Sequence, residues 1–444
     1  MKLVNHSERK VWQWVPTAYF YQAVPNTVMQ SLLVYFYIAM NVNPEVSGVT
    51  ISLLYLPWFI KPLWGPVVDI LKTKKWWAMR TQVIVGLAFL ATGLLVDSPN
   101  FFVLTLIMFV VIALSAATYD VASDGMYMIH LTPNQQSIWV GLRSTAFRLG
   151  WLLVDGGLLW LLGYLTAKFQ DSSSDNLLAQ VEAWRFIFYV LAGITFAVAL
   201  YNFWAFPHDQ PRDDGSVEKL KSIRGILHEF GTDIGSFFRK PAIWWGVLFL
   251  VTYRTGEAQL LQILPQFFTD TVEHGGLAIP IEQQGIIKGV VGVVALIAGG
   301  ILGGFAIARK GLRFWLMPMI LILNLPNIGY WIMSQHTAAI GNPGIAGLSL
   351  IGCIVALGYF GYGFSFTSYT MYMVYVSRGK FATSHYAVCS GLMALSLIWP
   401  KAISGYTVSW LGYQWFFVMV VILGMLPPLL LYRKLNVDRD FGKV

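Results

Sequence analysis

Residues 101–129 read FFVLTLIMFVVIALSAATYDVASDGMYMI. The stretch has no Lys or Arg and is longer than the roughly 20 apolar residues that a helix needs to cross a hydrocarbon core of about 30 Å. It nevertheless carries two carboxylates, Asp120 and Asp124, near one end. Such a segment reads as a transmembrane helix that keeps charges for a purpose. Eleven more apolar stretches flank it, near 14–40, 47–69, 76–96, 137–166, 184–206, 241–269, 284–308, 312–334, 344–376, 382–411 and 415–433. The expectation is an all-α polytopic membrane protein of twelve crossings.

The loops between crossings alternate in charge. Lys2, Arg9 and Lys10 share a side with Lys72, Lys74, Lys75, Arg212, Lys219, Lys221, Arg224, Arg239 and Lys240. Arg309, Lys310, Arg313, Arg378, Lys380, Arg433, Lys434, Arg439 and Lys443 fall there too. The opposite loops hold little beyond Lys168 and Arg185. Basic loops stay in the cytoplasm, so both termini are expected there and the number of crossings must be even. The net charge of +8 is explained by cytoplasmic loops facing anionic lipid, and no nucleic-acid partner is expected. Only 12% of residues are charged, against about 25% in soluble chains. The first apolar segment is too long for a signal-peptide core and reads as an uncleaved crossing. Cys353 and Cys389 fall on separate crossings as buried packing thiols with no disulfide. No Cys/His cluster has metal-ligand spacing, and no cofactor is expected.

Six crossings precede the polar segment 207–240 and six follow it. The organisation expected is therefore a six-helix bundle over 1–206, a cytoplasmic linker over 207–240, and a second bundle over 241–444. Within the linker, Leu220, Ile223, Leu227, Phe230, Ile234 and Phe237 recur at helical spacing, which makes one apolar stripe. The halves carry a faint repeat. Gly65 and Asp69 precede Lys72, Lys74 and Lys75 after crossing two; Gly304 and Ala308 precede Arg309, Lys310 and Arg313 after crossing eight. Two copies at matching places are a signature of transporters built from parallel repeats. They resemble the gating loop motif of the major facilitator superfamily, in which Gly lets helices approach and Asp ties the loop to a neighbouring helix end.

A charge at mid-membrane costs on the order of 2.5–3.5 kcal/mol on the insertion scale. The chain places Lys61 in crossing two, Asp120 and Asp124 in four, Arg148 and Asp155 in five, Arg254 and Glu257 in seven, Lys288 in eight and Lys401 in eleven. Crossings three, six, nine and twelve have none in their interiors. In the facilitator fold those four are the outer helices. Counting about 1.5 Å per residue from the helix ends puts Asp120 and Arg148 at one depth, about 15 Å in, and Lys61 near Asp124. The expectation is an Arg148–Asp120 pair. Asp120 and Asp124 have cations within reach in Lys61 and Arg148 and read as network members; Glu257 has only Arg254 nearby and Asp155 no obvious cation, so these two are the better proton-coupling candidates.

At these residues the chain resembles a known branch of that superfamily, the AmpG-type muropeptide permeases and acetyl-CoA transporters. Thr118-Tyr119-Asp120-Val121-Ala122-Ser123-Asp124-Gly125 is similar to their fourth-helix signature. Lys61-Pro62-Leu63-Trp64-Gly65-Pro66 with Asp69 looks like the second-helix motif, and Phe147-Arg148-Leu149-Gly150 the fifth. Tyr253-Arg254-Thr255-Gly256-Glu257-Ala258 matches helix seven, and Gly285-Ile286-Ile287-Lys288 helix eight. Tyr119 and His385 depart from the pattern, where Gln is the usual residue at 119 and Gln or an apolar residue at 385. The resemblance implies import of N-acetylglucosaminyl-anhydromuramyl peptides from periplasm to cytoplasm with protons, across a bacterial inner membrane, by a monomer. Such a sugar–peptide needs cations, amides, hydroxyls and aromatic faces. Crossing one supplies Tyr19, Gln22, Asn26 and Gln30 on one face, and crossing ten supplies Tyr369 among other hydroxyls. Alternatives are transport of another anionic conjugate, such as a coenzyme A thioester or a peptide-like solute, and a non-transporting membrane sensor. His208 and Asp213 make an acyltransferase-like spacing with no other catalytic element around it, so no enzyme is expected.

Overall fold

The computed structural model describes residues 6–64, 68, 72–131, 133–172, 176–207, 231–232, 234–340, 345–379 and 382–443. Every regular element among them is helical. This is what lipid demands, since a chain inside hydrocarbon must satisfy its own N–H and C=O groups. Helices long and apolar enough to cross a membrane run over Lys74–Leu95, Phe101–His130, Leu142–Asp171, Asn176–Ala205, Ile281–Lys310, Leu312–Gln335, Gly347–Ser377 and His385–Lys434. The last is two crossings in sequence, separated at Gly412, whose φ of 67° and ψ of 169° suit a residue without Cβ.

The other crossings are interrupted helices. Crossing one runs through His6–Thr27, a π-helical turn at Val28–Leu32, and Leu33–Ala39. Crossing two is Pro44–Leu54, Leu56–Ile60 and a 3-10 turn at Lys61–Leu63. Crossing seven is Ile243–Thr252 followed by Thr255–Thr269. With these the twelve crossings are all in place, most of them within a few residues of their expected ranges.

The interruptions coincide with the charges. Lys61 opens the 3-10 turn of crossing two. Arg254 stands between the two helices of crossing seven. Asp155 lies in a π-helical turn, Leu153–Leu158, and Lys288 in another, Ile286–Gly292. Turns of this kind inside α-helices recur at functional sites because they re-aim one side chain and loosen the backbone ladder.

The chain folds into two compact units. The first holds Met1–Leu32 and Ile60–Leu227; the second holds Leu33–Phe59 and His228–Val444. Crossing one divides at the end of its π turn and crossing two just before Lys61. In the first unit, glycines on crossing three bring crossing six close. A Cβ at Gly86 would meet the ring of Phe196 at 2.6 Å, and one at Gly93 would meet Tyr189 at 2.6 Å. Small residues at helix contacts are the usual solution where lipid offers no hydrophobic drive between helices. In the second unit, Asn324 donates to Gly424 O at 3.0 Å, and a Cβ at Gly256 would meet its Oδ1 at 2.9 Å. Its amide thus sits where crossings seven, nine and twelve meet. Two apolar cores fill this unit, one around Phe249, Leu316 and Tyr369, the other around Phe267, Val355 and Phe417.

Most of the expected linker helix, residues 208–230, and the His208 and Asp213 pair lie outside the described residues. So do Gly65 and Asp69. The far end of the linker is anchored: Phe237 is buried in the first of those cores, and Ser236 Oγ lies 2.8 Å from His385 Nε2. In the second loop copy, where Ala308 replaces the acid, the C-terminal segment folds back. Leu312 N donates to Phe441 O at 2.8 Å, and Arg378 pairs with Asp438 at 3.4 Å. One packing expectation is corrected. Cys389 is buried, but Cys353 is exposed, on the outward apolar face of crossing ten that also carries the exposed Leu350 and Leu357.

Candidate substrate and coupling sites

In the first unit two of the described ion pairs stand one helical turn apart on crossing four. Lys61 Nζ lies 3.6 Å from Asp120 Oδ2, with the carboxylate almost fully covered. Arg143, near the start of crossing five, donates through Nη2 to Asp124 Oδ1 at 2.9 Å. Tyr19 on crossing one donates to the same oxygen at 2.9 Å. The Arg143 guanidinium lies 4.2 Å from the Tyr19 ring centroid and 5.3 Å from that of Tyr127. The two rings meet edge to face at 5.8 Å. A cation over an aromatic face is held by the ring quadrupole, so this arginine has aromatic support as well as a counter-ion.

Arg143 is the residue that sequence reasoning missed. A signal was present in the basic side chain at 143 on a crossing whose helix begins ten residues earlier. Lys61 was misplaced by one turn: depth counting sets it level with Asp124, and it pairs instead with Asp120, farther from the His130 end of crossing four. The shift has a cause. The 3-10 turn at Lys61–Leu63 rises about 2.0 Å per residue against about 1.5 Å in an α-helix, which moves the lysine deeper than a uniform count does but supplies only part of the turn. Arg148, the partner expected for Asp120, is half-buried on crossing five.

Deeper in the same unit two π turns meet. Ser31, in the π turn of crossing one, donates to Asp155 Oδ1 at 2.5 Å, and both residues are buried. Close by along crossing one, Gln30 Nε2 donates to Asn26 Oδ1 at 2.5 Å. Gln22 is buried one turn earlier. The polar face read from the sequence is therefore real as a run of side chains, and part of it bonds internally.

The second unit has its own cluster. Arg254 donates from Nε to Glu257 Oε2 at 2.8 Å and from Nη2 to Oε1 at 2.6 Å. Tyr362 OH accepts from Nη2 at 3.3 Å, and Phe366 lies under the guanidinium at 5.3 Å. Lys288 Nζ is 3.4 Å from Tyr35 OH, and the Tyr35 hydroxyl donates to Gln284 Oε1 at 2.9 Å. Gln284 in turn donates to Thr269 Oγ1 at 3.1 Å and Ile279 O at 2.8 Å. Lys401 is buried on crossing eleven, and a Cβ at Gly48 would lie 2.9 Å from its carbonyl oxygen. Tyr369 is fully buried and donates to Leu250 O at 2.9 Å, so its hydroxyl ties crossing ten to crossing seven.

Among the described residues, no group of His, Cys, Asp and Glu side chains is arranged to hold a metal ion.

Comparison with known proteins agrees with this architecture. The model of the Major Facilitator Superfamily matches residues 17–397. The chain is 22% identical to the anhydromuropeptide permease of Escherichia coli (strain K12) over 389 residues, covering 86% of this chain and 71% of that one. It is 25% identical to the putative transporter AmpG 1 of Rickettsia bellii (strain RML369-C) over 410 residues, covering 89% and 91%. Among solved structures it resembles the D-xylose-proton symporter with a TM-score of 0.71 at 13% identity, over 97% of this chain and 98% of that one. The nucleoside transporter NupG gives a TM-score of 0.66 at 12% identity, over 98% and 100%.

Proposed function

The chain belongs to the major facilitator superfamily, and on that premise we propose that this multi-pass membrane transporter imports anhydromuropeptide-type cell-wall turnover products from periplasm to cytoplasm with protons. It works by alternating access, as a monomer in a bacterial inner membrane with both termini cytoplasmic. The orientation rests on the one-sided basic loops. The substrate class rests on similarity to the anhydromuropeptide permease and on the fit of cations, amides and aromatic faces to a sugar–peptide.

The observation that carries the reading is the coincidence of broken helices with charge, partly exposed at Lys61 and buried at Asp155, Arg254 and Lys288. A protein that only had to span the bilayer gains nothing from buried charges on weakened helices; a transporter needs both. For the proton, geometry favours Asp155 over Glu257. Glu257 is committed to Arg254 by two hydrogen bonds, and protonating it would leave a buried guanidinium without its counter-charge. Asp155 accepts from a neutral hydroxyl, which tolerates either protonation state with one rotation of the Ser31 O–H. Asp120, Asp124 and Lys61 serve as the charge network, and Lys288, Lys401 and Arg148 as further cations for an anionic solute.

The test is uptake of labelled anhydromuropeptide into membrane vesicles, with and without an imposed proton gradient. Accumulation that depends on the gradient and resists competition by coenzyme A thioesters is the expected result. Absence of uptake under both conditions, or preference for the thioester, contradicts it.

A further inference from the structure

We infer that Arg143 takes a carboxylate of the transported molecule, and that Asp124 competes with that carboxylate for the same guanidinium. This rests on the reading of the protein as a transporter of an anionic sugar–peptide and assigns a specific residue to the anion.

The first ground is exposure. The Arg143 and Asp124 side chains retain 32% and 30% of their accessible surface, so the pair can be reached. The second is what each partner keeps when the pair opens. Asp124 still accepts from Tyr19 OH at 2.9 Å, so its carboxylate is not stranded. Arg143 remains against Tyr19 and Tyr127, whose rings hold the guanidinium whatever anion it meets. A planar guanidinium presents paired donors that match a carboxylate in two-toothed fashion, and the tyrosine rings beside it offer flat faces to a sugar.

The third ground is local charge. Lys74 is buried on crossing three, and its Nζ lies 3.2 Å from where a Cβ at Gly125 would stand. This sets a further ammonium against the helix at residue 125, next in sequence to Asp124. With Lys61 on Asp120, the described side chains of this cluster are three cations, Lys61, Lys74 and Arg143, against two carboxylates, Asp120 and Asp124. Lys74 adds positive charge near the place where an incoming carboxylate would replace Asp124 on Arg143.

The experiment measures equilibrium binding to the purified full-length protein. It uses N-acetylglucosaminyl-anhydromuramyl tripeptide with free carboxylates and the same compound with its carboxylates amidated. Losing a charge-assisted pair costs about tenfold or more in affinity. Arg143→Gln is therefore expected to weaken the free acid by about that factor and to leave the amide unchanged. Asp124→Asn keeps the acceptor for Tyr19 but removes the competing charge, and is expected to tighten the free acid several-fold. A gain of affinity cannot arise from misfolding. Equal losses for acid and amide in Arg143→Gln, or no tightening in Asp124→Asn, overturn the assignment while leaving the transporter reading intact. Failure of the wild-type protein to bind either compound overturns both.

Discussion

Each unit holds an arginine–carboxylate pair beside aromatic rings, and the two are built differently. Arg254 and Glu257 sit one turn apart on a single crossing, joined by two hydrogen bonds, with side chains only 6% and 13% exposed. Arg143 and Asp124 come from different crossings, share one described hydrogen bond, and are about a third exposed. A pair only three residues apart on one crossing can stay closed while crossings move. A pair between helices has to open when they shift. The same two functional groups thus make a fixed clamp in the second unit and an exchangeable contact in the first.

The largest effect that separates them is on stability. Glu257→Ala leaves the Arg254 guanidinium buried without a counter-charge, and is expected to cost about 3–5 kcal/mol. Asp124→Ala removes one partner of a pair that is about a third exposed, and is expected to cost about 1 kcal/mol or less. Thermal unfolding of the purified variants in detergent measures both. Equal losses would erase the distinction.

Lys61→Met falls between them. Asp120 is nearly covered while Lys61 is 21% exposed, so removing the ammonium is expected to cost about 2 kcal/mol, less than a fully buried pair. Restoring stability with Lys61→Met/Asp120→Asn would show that the stranded charge, not lost packing, was the cause.

The smallest effects come from the tyrosines. Tyr362→Phe removes a 3.3 Å contact to Arg254 and is expected to lower stability by about 0.5 kcal/mol without changing substrate affinity. Tyr19→Phe removes a hydrogen bond to Asp124 and is expected to alter affinity for the acidic ligand more than stability. A Tyr19→Phe protein with unchanged affinity for the acid and reduced stability would place it with the fixed clamp.

Much of this was legible in the sequence. The crossings follow from apolar length, and Gly412 falls where the interval between crossings eleven and twelve was expected. The Arg254–Glu257 pair was legible because a spacing of three within one crossing keeps the two side chains in reach of each other even across the helix break at Arg254. The Lys61–Asp120 and Arg143–Asp124 pairs between helices were not, since they depend on the rise of each helix up to the charge. The 3-10 turn at Lys61 and the π turns at Val28–Leu32, Leu153–Leu158 and Ile286–Gly292 change that rise and leave no mark on hydropathy. Glycines near two of them, at 156, 157, 285, 289 and 292, were the available hint. The Ser31–Asp155 bond was hidden for the same reason, as it joins two such turns.

The most direct test of the coupling account is a paired measurement on proteoliposomes. Wild-type, Asp155→Asn and Glu257→Gln proteins are each assayed for anhydromuropeptide accumulation under an imposed proton gradient and for counterflow of substrate without one. The account predicts that Asp155→Asn loses accumulation but keeps counterflow, and that Glu257→Gln, where folded, keeps both. Undiminished gradient-driven accumulation by Asp155→Asn would contradict it and pass the proton to another carboxylate.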